Sequence, residues 1–200
     1  MTRVYLIQSA ESEGERCRVA QGQFDSGLTE RGRRQVKRLA ARFAGARIDS
    51  VYASDLYHAC ATARAICRPM QLELRRRKDL REICLGAWEG LGWGNIAEDQ
   101  PTQLHHFQSA LNLWRVQDAE TAEQVLNRMT SAIRQIAAEN DGASAAVVSH
   151  GFALRLLLAR LQGLPPQAAH RLPVGENAAV SVIEAEGGAL RLVSLNDTRH

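Results

Sequence analysis

Apolar residues along the chain fall into short runs that alternate with helical stripes. Val4-Tyr5-Leu6-Ile7 is a β-favouring run that breaks into the polar cluster Gln8-Ser9-Ala10-Glu11-Ser12. That is the pattern of a buried strand delivering side chains to a site at its C-terminal end. Residues 13–28 are rich in Gly, Ser, Gln and charge and predict a long functional loop. Thr29 offers an N-cap, and Val36, Leu39, Ala40 and Phe43 recur at helical spacing before Gly45 closes the helix. Residues 48–54 predict a second strand, and 56–67 a helix that Pro69 should end. Residues 72–76 alternate as a half-buried strand does, and 80–94, with four Gly and two Trp, read as a loop held by aromatics. Residues 96–115 are polar, broken by Pro101, and predict an excursion over the sheet edge. Val125, Met129, Ala132 and Ile136 mark a long amphipathic helix, and 145–149 a strand. Residues 152–161 are apolar nearly all round, as in a buried helix, and two closing strands meet at Gly187-Gly188.

Strands alternating with helices predict an α/β three-layer sandwich, a mostly parallel sheet with helices on both faces. In such sheets ligands bind beyond the carboxyl ends of the strands. Residues 1–200 suit a single domain, with the excursion at about 92–117 lying over the pocket.

Composition changes this picture little. Hydrophobic residues make up 45%, charged ones 24%, and the net charge is +3, an ordinary globular profile. The only dense basic run, Arg75-Arg76-Arg77-Lys78, is expected on a solvated edge, so nucleic acid is not an expected partner. Cys17, Cys60, Cys67 and Cys84 form no CxxC or Cys/His pattern. No signal peptide precedes Val4 and no run reaches membrane-spanning length. The expectation is a cytoplasmic protein with reduced thiols and no membrane partner.

Five segments carry chemistry in a fixed order. They are Gln21-Gly22-Gln23-Phe24-Asp25-Ser26-Gly27-Leu28-Thr29, then Tyr52-Ala53-Ser54-Asp55-Leu56 with Thr62-Ala63. Leu80-Arg81-Glu82-Ile83 with Gly86-Ala87-Trp88-Glu89-Gly90 follows, then Ser149-His150-Gly151 with Arg155, and the tail Asn196-Asp197-Thr198-Arg199-His200. Together they resemble the histidine phosphatase superfamily, the phosphoglycerate mutase-like fold, from end to end. The resemblance implies a strand-end Arg-His-Gly-Glu whose histidine takes the phosphoryl group. Two arginines and a second histidine would hold the phosphate oxygens, and a glutamate would protonate the leaving oxygen. That is nucleophilic catalysis with electrostatic stabilisation.

Laid on that motif, the first strand has Gln8 at the first arginine, Ser9 at the nucleophile and Ala10 at the glycine, while Glu11 fits. Glu15 falls where the family has a phosphate-contacting asparagine, and His58 replaces the second arginine. Glu82 and His150 remain. A phosphoryl group carries nearly two negative charges, for which the permanently charged fork of Arg is suited. Gln offers neutral donors only, and His is charged only in part at neutral pH. Family phosphatase chemistry is therefore not expected, and three readings compete. The first is a pseudoenzyme that binds a small molecule or a protein partner. The second is a repurposed enzyme using Glu82 and His150 as acid and base, or Ser9 as nucleophile, on a non-phosphorylated substrate. The third is a residual phosphomonoesterase. Ser9, His150 and Glu82 are the parts of an acyl-transfer triad, but serine is roughly 2–3 Å shorter than histidine, and no GxSxG surrounds it.

The expected site is thus Glu82, His150 and Ser9 for chemistry, with Gln8, Glu11, Glu15, Gln21, Gly22, His58, Arg81 and Gly151 around the ligand. No cofactor and no metal are expected; His58 and His150 with Glu82 or Glu15 suit zinc by residue type alone. A homodimer is compatible with the sequence. His105 and His106 are read as surface residues, and His170 after Pro165-Pro166 has no partner visible in sequence. Trp88 and Trp93 are read as anchors of the Glu82 loop, and Trp114 as core or pocket roof.

Overall fold

The six strands of the sheet lie in the order β3-β2-β4-β1-β5-β6, in a computed structural model that describes residues 1–172 and 175–200. The strands are β1 (Thr2–Gln8), β2 (Ser50–Ser54), β3 (Leu74–Arg77), β4 (Ser144–Ser149), β5 (Val180–Glu186) and β6 (Ala189–Asp197). Strands β1 to β4 pair in parallel, and β5 and β6 add antiparallel at one edge. The closing hairpin turns at Gly187 and Gly188, whose φ values of 56° and 81° belong to the region glycine enters without steric cost.

Alternation along the strands divides the core into two layers. Val4, Leu6, Ala145, Val147 and Ile183 face one side, where they meet helices α6 (Ala122–Glu139) and α7 (Gly151–Leu161). Ile7, Val51, Ala53, Ala146, Val148 and Val180 face the other, against α2 (Glu30–Phe43) and α3 (Tyr57–Met70). The expected sandwich with helices on both faces is what forms. Thr29 caps α2 by accepting the Gly32 N–H at 2.9 Å, and Thr121 caps α6 in a reciprocal box with Gln124.

Several boundaries differ from the sequence expectation for identifiable reasons. Helix α3 runs through Pro69 to Met70, so Pro69 forgoes one main-chain bond in the last turn without ending the helix there; the helix stops at Gln71, whose φ is 54°. Within the long loop, Ser12 and Glu15 form a capping box that folds α1 (Glu13–Arg16), a single turn. The excursion is helical: α4 (Trp93–Asp99) and α5 (Pro101–Ser109), with Pro101 at the first position of α5, where its missing N–H costs nothing. The basic run lies on edge strand β3, with Arg75 and Arg76 exposed.

Candidate functional site

The pairing of β1 with β4 sets Gln8 beside Ser149, so the next residues, Ser9 and His150, leave adjacent strands at the same end of the sheet. The Ser9 N–H donates to the Ser149 carbonyl at 2.9 Å and holds that alignment. Strand β2, on the other side of β4, runs into α3, whose second residue is His58. Ser9, His58 and His150 are only 4%, 4% and 3% exposed, and all three line a cavity of about 350 Å³.

The two imidazoles touch. His58 Nε2 and His150 Nδ1 are 3.0 Å apart, with the rings nearly edge to face. Burial lowers the pKa of His58, against the pull of Glu15 and Asp25. Burial first, then His58, Arg128 and Arg81, hold His150 well below the ordinary imidazole range. Both shifts favour the neutral imidazoles. His150 Nε2 is buried, has no hydrogen-bond partner, and belongs to a side chain lining the cavity.

Glu82 reaches the same cavity but its carboxylate is occupied. Oε2 accepts from the Phe152 N–H at 2.9 Å, and Oε1 from Ala153 at 2.8 Å and Ile83 at 2.9 Å. Phe152 and Ala153 open α7, whose N-cap residue His150 supplies no side-chain cap. Glu82 therefore caps that helix from another part of the chain, with its charge at the positive end of the dipole. Enclosure by protein raises its pKa, and the three amides with Arg128 oppose that shift. The loop carrying it is tied down by Arg128, which donates to the carbonyls of Asp79, Arg81 and Glu82 and to Glu120.

The remaining expected residues separate into two groups. Glu15, Gln21, Gly22 and Gly151 line the cavity. Glu15 accepts from the Ser12 N–H at 2.8 Å and from Asn177, and Gln21 bridges Ser12 and Ser26. Gln8, Glu11 and Arg81 do not line it. Gln8 lies in a separate narrow space beside Gly151, Arg155, Gly175 and Asn196. Glu11 accepts from the Thr29 hydroxyl at 2.7 Å and braces the start of α2. Arg81 makes a two-pronged pair with Asp55, at 2.6 and 2.7 Å, the geometry that suits a guanidinium and a carboxylate. The triad idea also fails in its expected form, since the Glu82 oxygens go to amides and His150 Nδ1 goes to His58, not to a carboxylate.

An aromatic wall completes the cavity. Phe107 of α5 stacks on Phe152 at 5.3 Å, and on Trp93 at 5.9 Å, and all three line the space with Ile83 and Leu85. Trp88 is fully buried behind them and donates to Gln100 at 3.0 Å, and Trp114 packs in the core against Phe107. Arg18, whose φ of 56° turns the chain, is the one arginine among the described lining residues. Sequence reasoning missed Phe107, Phe152 and Arg18. Phe107 follows Leu104 by three positions, the spacing of one helical face, which a helical reading of the excursion would have exposed. Arg18 carried no signal. His105 is exposed, as expected; His106 is half-buried with Nδ1 unpartnered.

Among the described residues no three His, Cys, Asp or Glu side chains are placed to hold a metal ion. The two imidazoles spend nitrogens on each other instead. None of the described helices is long and apolar enough to cross a membrane.

A mostly parallel six-stranded sheet with imidazoles and a glutamate converging at its carboxyl ends defines a phosphoglycerate mutase-like α/β protein. The chain belongs to the histidine phosphatase superfamily, whose branch 1 model matches residues 4–198. It is 30% identical to a probable phosphoglycerate mutase GpmB of Proteus mirabilis over 184 residues, 92% of this chain and 85% of that protein. Phosphoserine phosphatase 1 of Hydrogenobacter thermophilus is 28% identical over 200 residues, 100% of this chain and 94% of its own. In structure the chain is similar to Bacillus stearothermophilus YhfR, with a TM-score of 0.96 at 29% identity over 99% of this chain and 98% of that one.

Proposed function

We propose that this protein keeps the histidine phosphatase scaffold without phosphohistidine chemistry, and uses its cavity to bind a small molecule of low negative charge. The observation that carries this is the cavity lining. Ser9 stands at the strand end, two imidazoles bond to each other, and Arg18, the one arginine among the described lining residues, shares the cavity with two carboxyl groups, Glu15 and Glu82. A phosphate dianion brought there would lose its hydration and meet little fixed positive charge in return. Serine ends about 2–3 Å short of an imidazole nitrogen, and a hydroxyl has no pKa near neutrality to help it attack. The aromatic wall favours a ligand with a flat apolar part.

The test is anion binding read as thermal stabilisation. A site with a Kd of about 0.1 mM would gain about 2.3 kcal/mol in 5 mM phosphate, or about 5–9 °C in Tm for a chain of this size. The expected shift with phosphate or vanadate is under about 1 °C. A shift of several degrees that His150→Ala removes would overturn the reading.

A second reading, acid–base chemistry on a non-phosphorylated substrate, is favoured by one feature, the unpartnered and buried His150 Nε2. In it His150 is the base. Glu82, already shared among three amides, is a weaker candidate for the acid.

A further inference from the structure

The contact between His58 and His150 has a direction, and what faces the far side of His58 sets it. Across the 3.0 Å between His58 Nε2 and His150 Nδ1, one nitrogen carries the hydrogen and the other the lone pair. His58 Nδ1 lies 3.5 Å from the Asp25 carboxylate, too long for a strong hydrogen bond but close enough to act electrostatically. The Ser26 main chain and Glu15 act on His58 in the same sense, each favouring a proton. Asp25 is itself pinned, accepting from the Tyr57 N–H at 2.9 and 2.8 Å and from Ser26 at 2.9 Å. Among the described residues no donor is bonded to His58 Nδ1. A lone pair there would point at a carboxylate, so the hydrogen sits on Nδ1.

The rest follows from neutrality. A neutral His58 with hydrogen on Nδ1 has only a lone pair at Nε2, and His150 Nδ1 must supply the hydrogen between them. His150 Nε2 then carries no hydrogen. Burial, then the charges of His58, Arg128 and Arg81, disfavour a second proton on His150.

We propose that Asp25 and His58 are positioning residues that fix His150 as its Nδ1–H tautomer, so the cavity offers a bare imidazole lone pair. The ligand this fits is an aromatic O–H or N–H donor, its ring against Phe107 and Phe152 and its donor on His150 Nε2. The ligand class rests on the non-phosphate reading above, but the tautomer does not. This arrangement depends on His58, the residue that differs from the arginine of the family pattern.

Long-range proton–nitrogen correlation spectra of the 15N-labelled protein at pH 7.5 test it, with His150 assigned from a His150→Gln spectrum. The expected result is His150 Nε2 at the unprotonated position and Nδ1 at the protonated one, the form less favoured by free histidine. Asp25→Ala, which removes the acceptor facing His58 Nδ1, should move His150 toward the Nε2–H form. An Nε2–H His150 in the unaltered protein, or no change in Asp25→Ala, would overturn the tautomer assignment. Titration with phenol should perturb His150 Nε2 and show about threefold or greater tighter binding than anisole, which lacks the donor. Equal affinities would overturn the ligand class. Phosphate binding would remove the functional reading and leave the tautomer result standing, so the two failures are distinct.

Discussion

Replacing Glu82 with alanine asks whether this carboxylate is a structural cap or a free acid. In the folded protein it accepts three main-chain N–H bonds, from Ile83, Phe152 and Ala153, at 2.8–2.9 Å. Alanine leaves those donors without a protein acceptor, at about 1–3 kcal/mol for each one that water cannot reach. Ile83 and Ala153 are buried, and Phe152 is only partly so. The expected loss is about 3 kcal/mol, or about 6–12 °C in Tm for a chain of 200 residues. Glutamine retains one acceptor oxygen and should lose about half as much. The pH dependence has a definite sign. Burial raises the folded pKa of Glu82, so the folded state holds the extra proton between the unfolded and folded values. Stability from this group is fully present below the unfolded pKa and falls as pH rises through that window. The difference between parent and alanine variant should therefore narrow from pH 4.5 toward neutrality. Urea unfolding followed by tryptophan fluorescence measures both effects. A variant within about 0.5 kcal/mol of the parent would refute the capping role and return Glu82 to the list of candidate acids.

Two further outcomes can be checked alongside it. His58 and His150 are buried neutral with lowered pKa values, so the unfolded chain binds protons first as pH falls, and stability should drop below about pH 6.5 by up to about 1.4 kcal/mol per unit for each. Urea midpoints at pH 7.5 and 5.5 read this, His58→Phe should reduce the drop, and a flat profile would contradict the buried pair. Gly86→Ala should cost at least about 2 kcal/mol, because φ is 56° and a Cβ would lie 2.0 Å from the Gln117 carbonyl oxygen, which only a main-chain shift relieves; an unchanged Tm would contradict that packing.

The sheet, its flanking helices and the strand ends were legible because periodicity reports which face of an element is buried. Val4 to Ile7 and 145–149 announce strands, and the two stripes on 30–43 and 122–139 announce helices. Ser9, His58, Glu82 and His150 could be brought to one cavity by the family resemblance, and they do meet there. What could not be read was where each side chain spends its bonds. Sequence puts Arg81 and Glu82 side by side, but only geometry shows Arg81 turned to Asp55 and Glu82 turned to the start of α7. Gln8 was misassigned for a similar reason. Alternation along β1 sends neighbouring side chains to opposite faces, so Gln8 and Ser9 cannot share one space at the strand end. The excursion hid two helices because their polar, half-buried faces give weak periodicity, and with them it hid Phe107.

The central claim is that the end of β1 lacks both the attacker and the fixed charge that phosphoryl transfer requires. Steady-state hydrolysis of p-nitrophenyl phosphate by the purified protein tests it most directly, with Ser9→His and His150→Ala assayed in parallel. The account predicts no turnover above buffer for the unaltered chain, and none gained by Ser9→His while His58 stands in place of arginine. Robust turnover by the unaltered chain, abolished by His150→Ala, would contradict it.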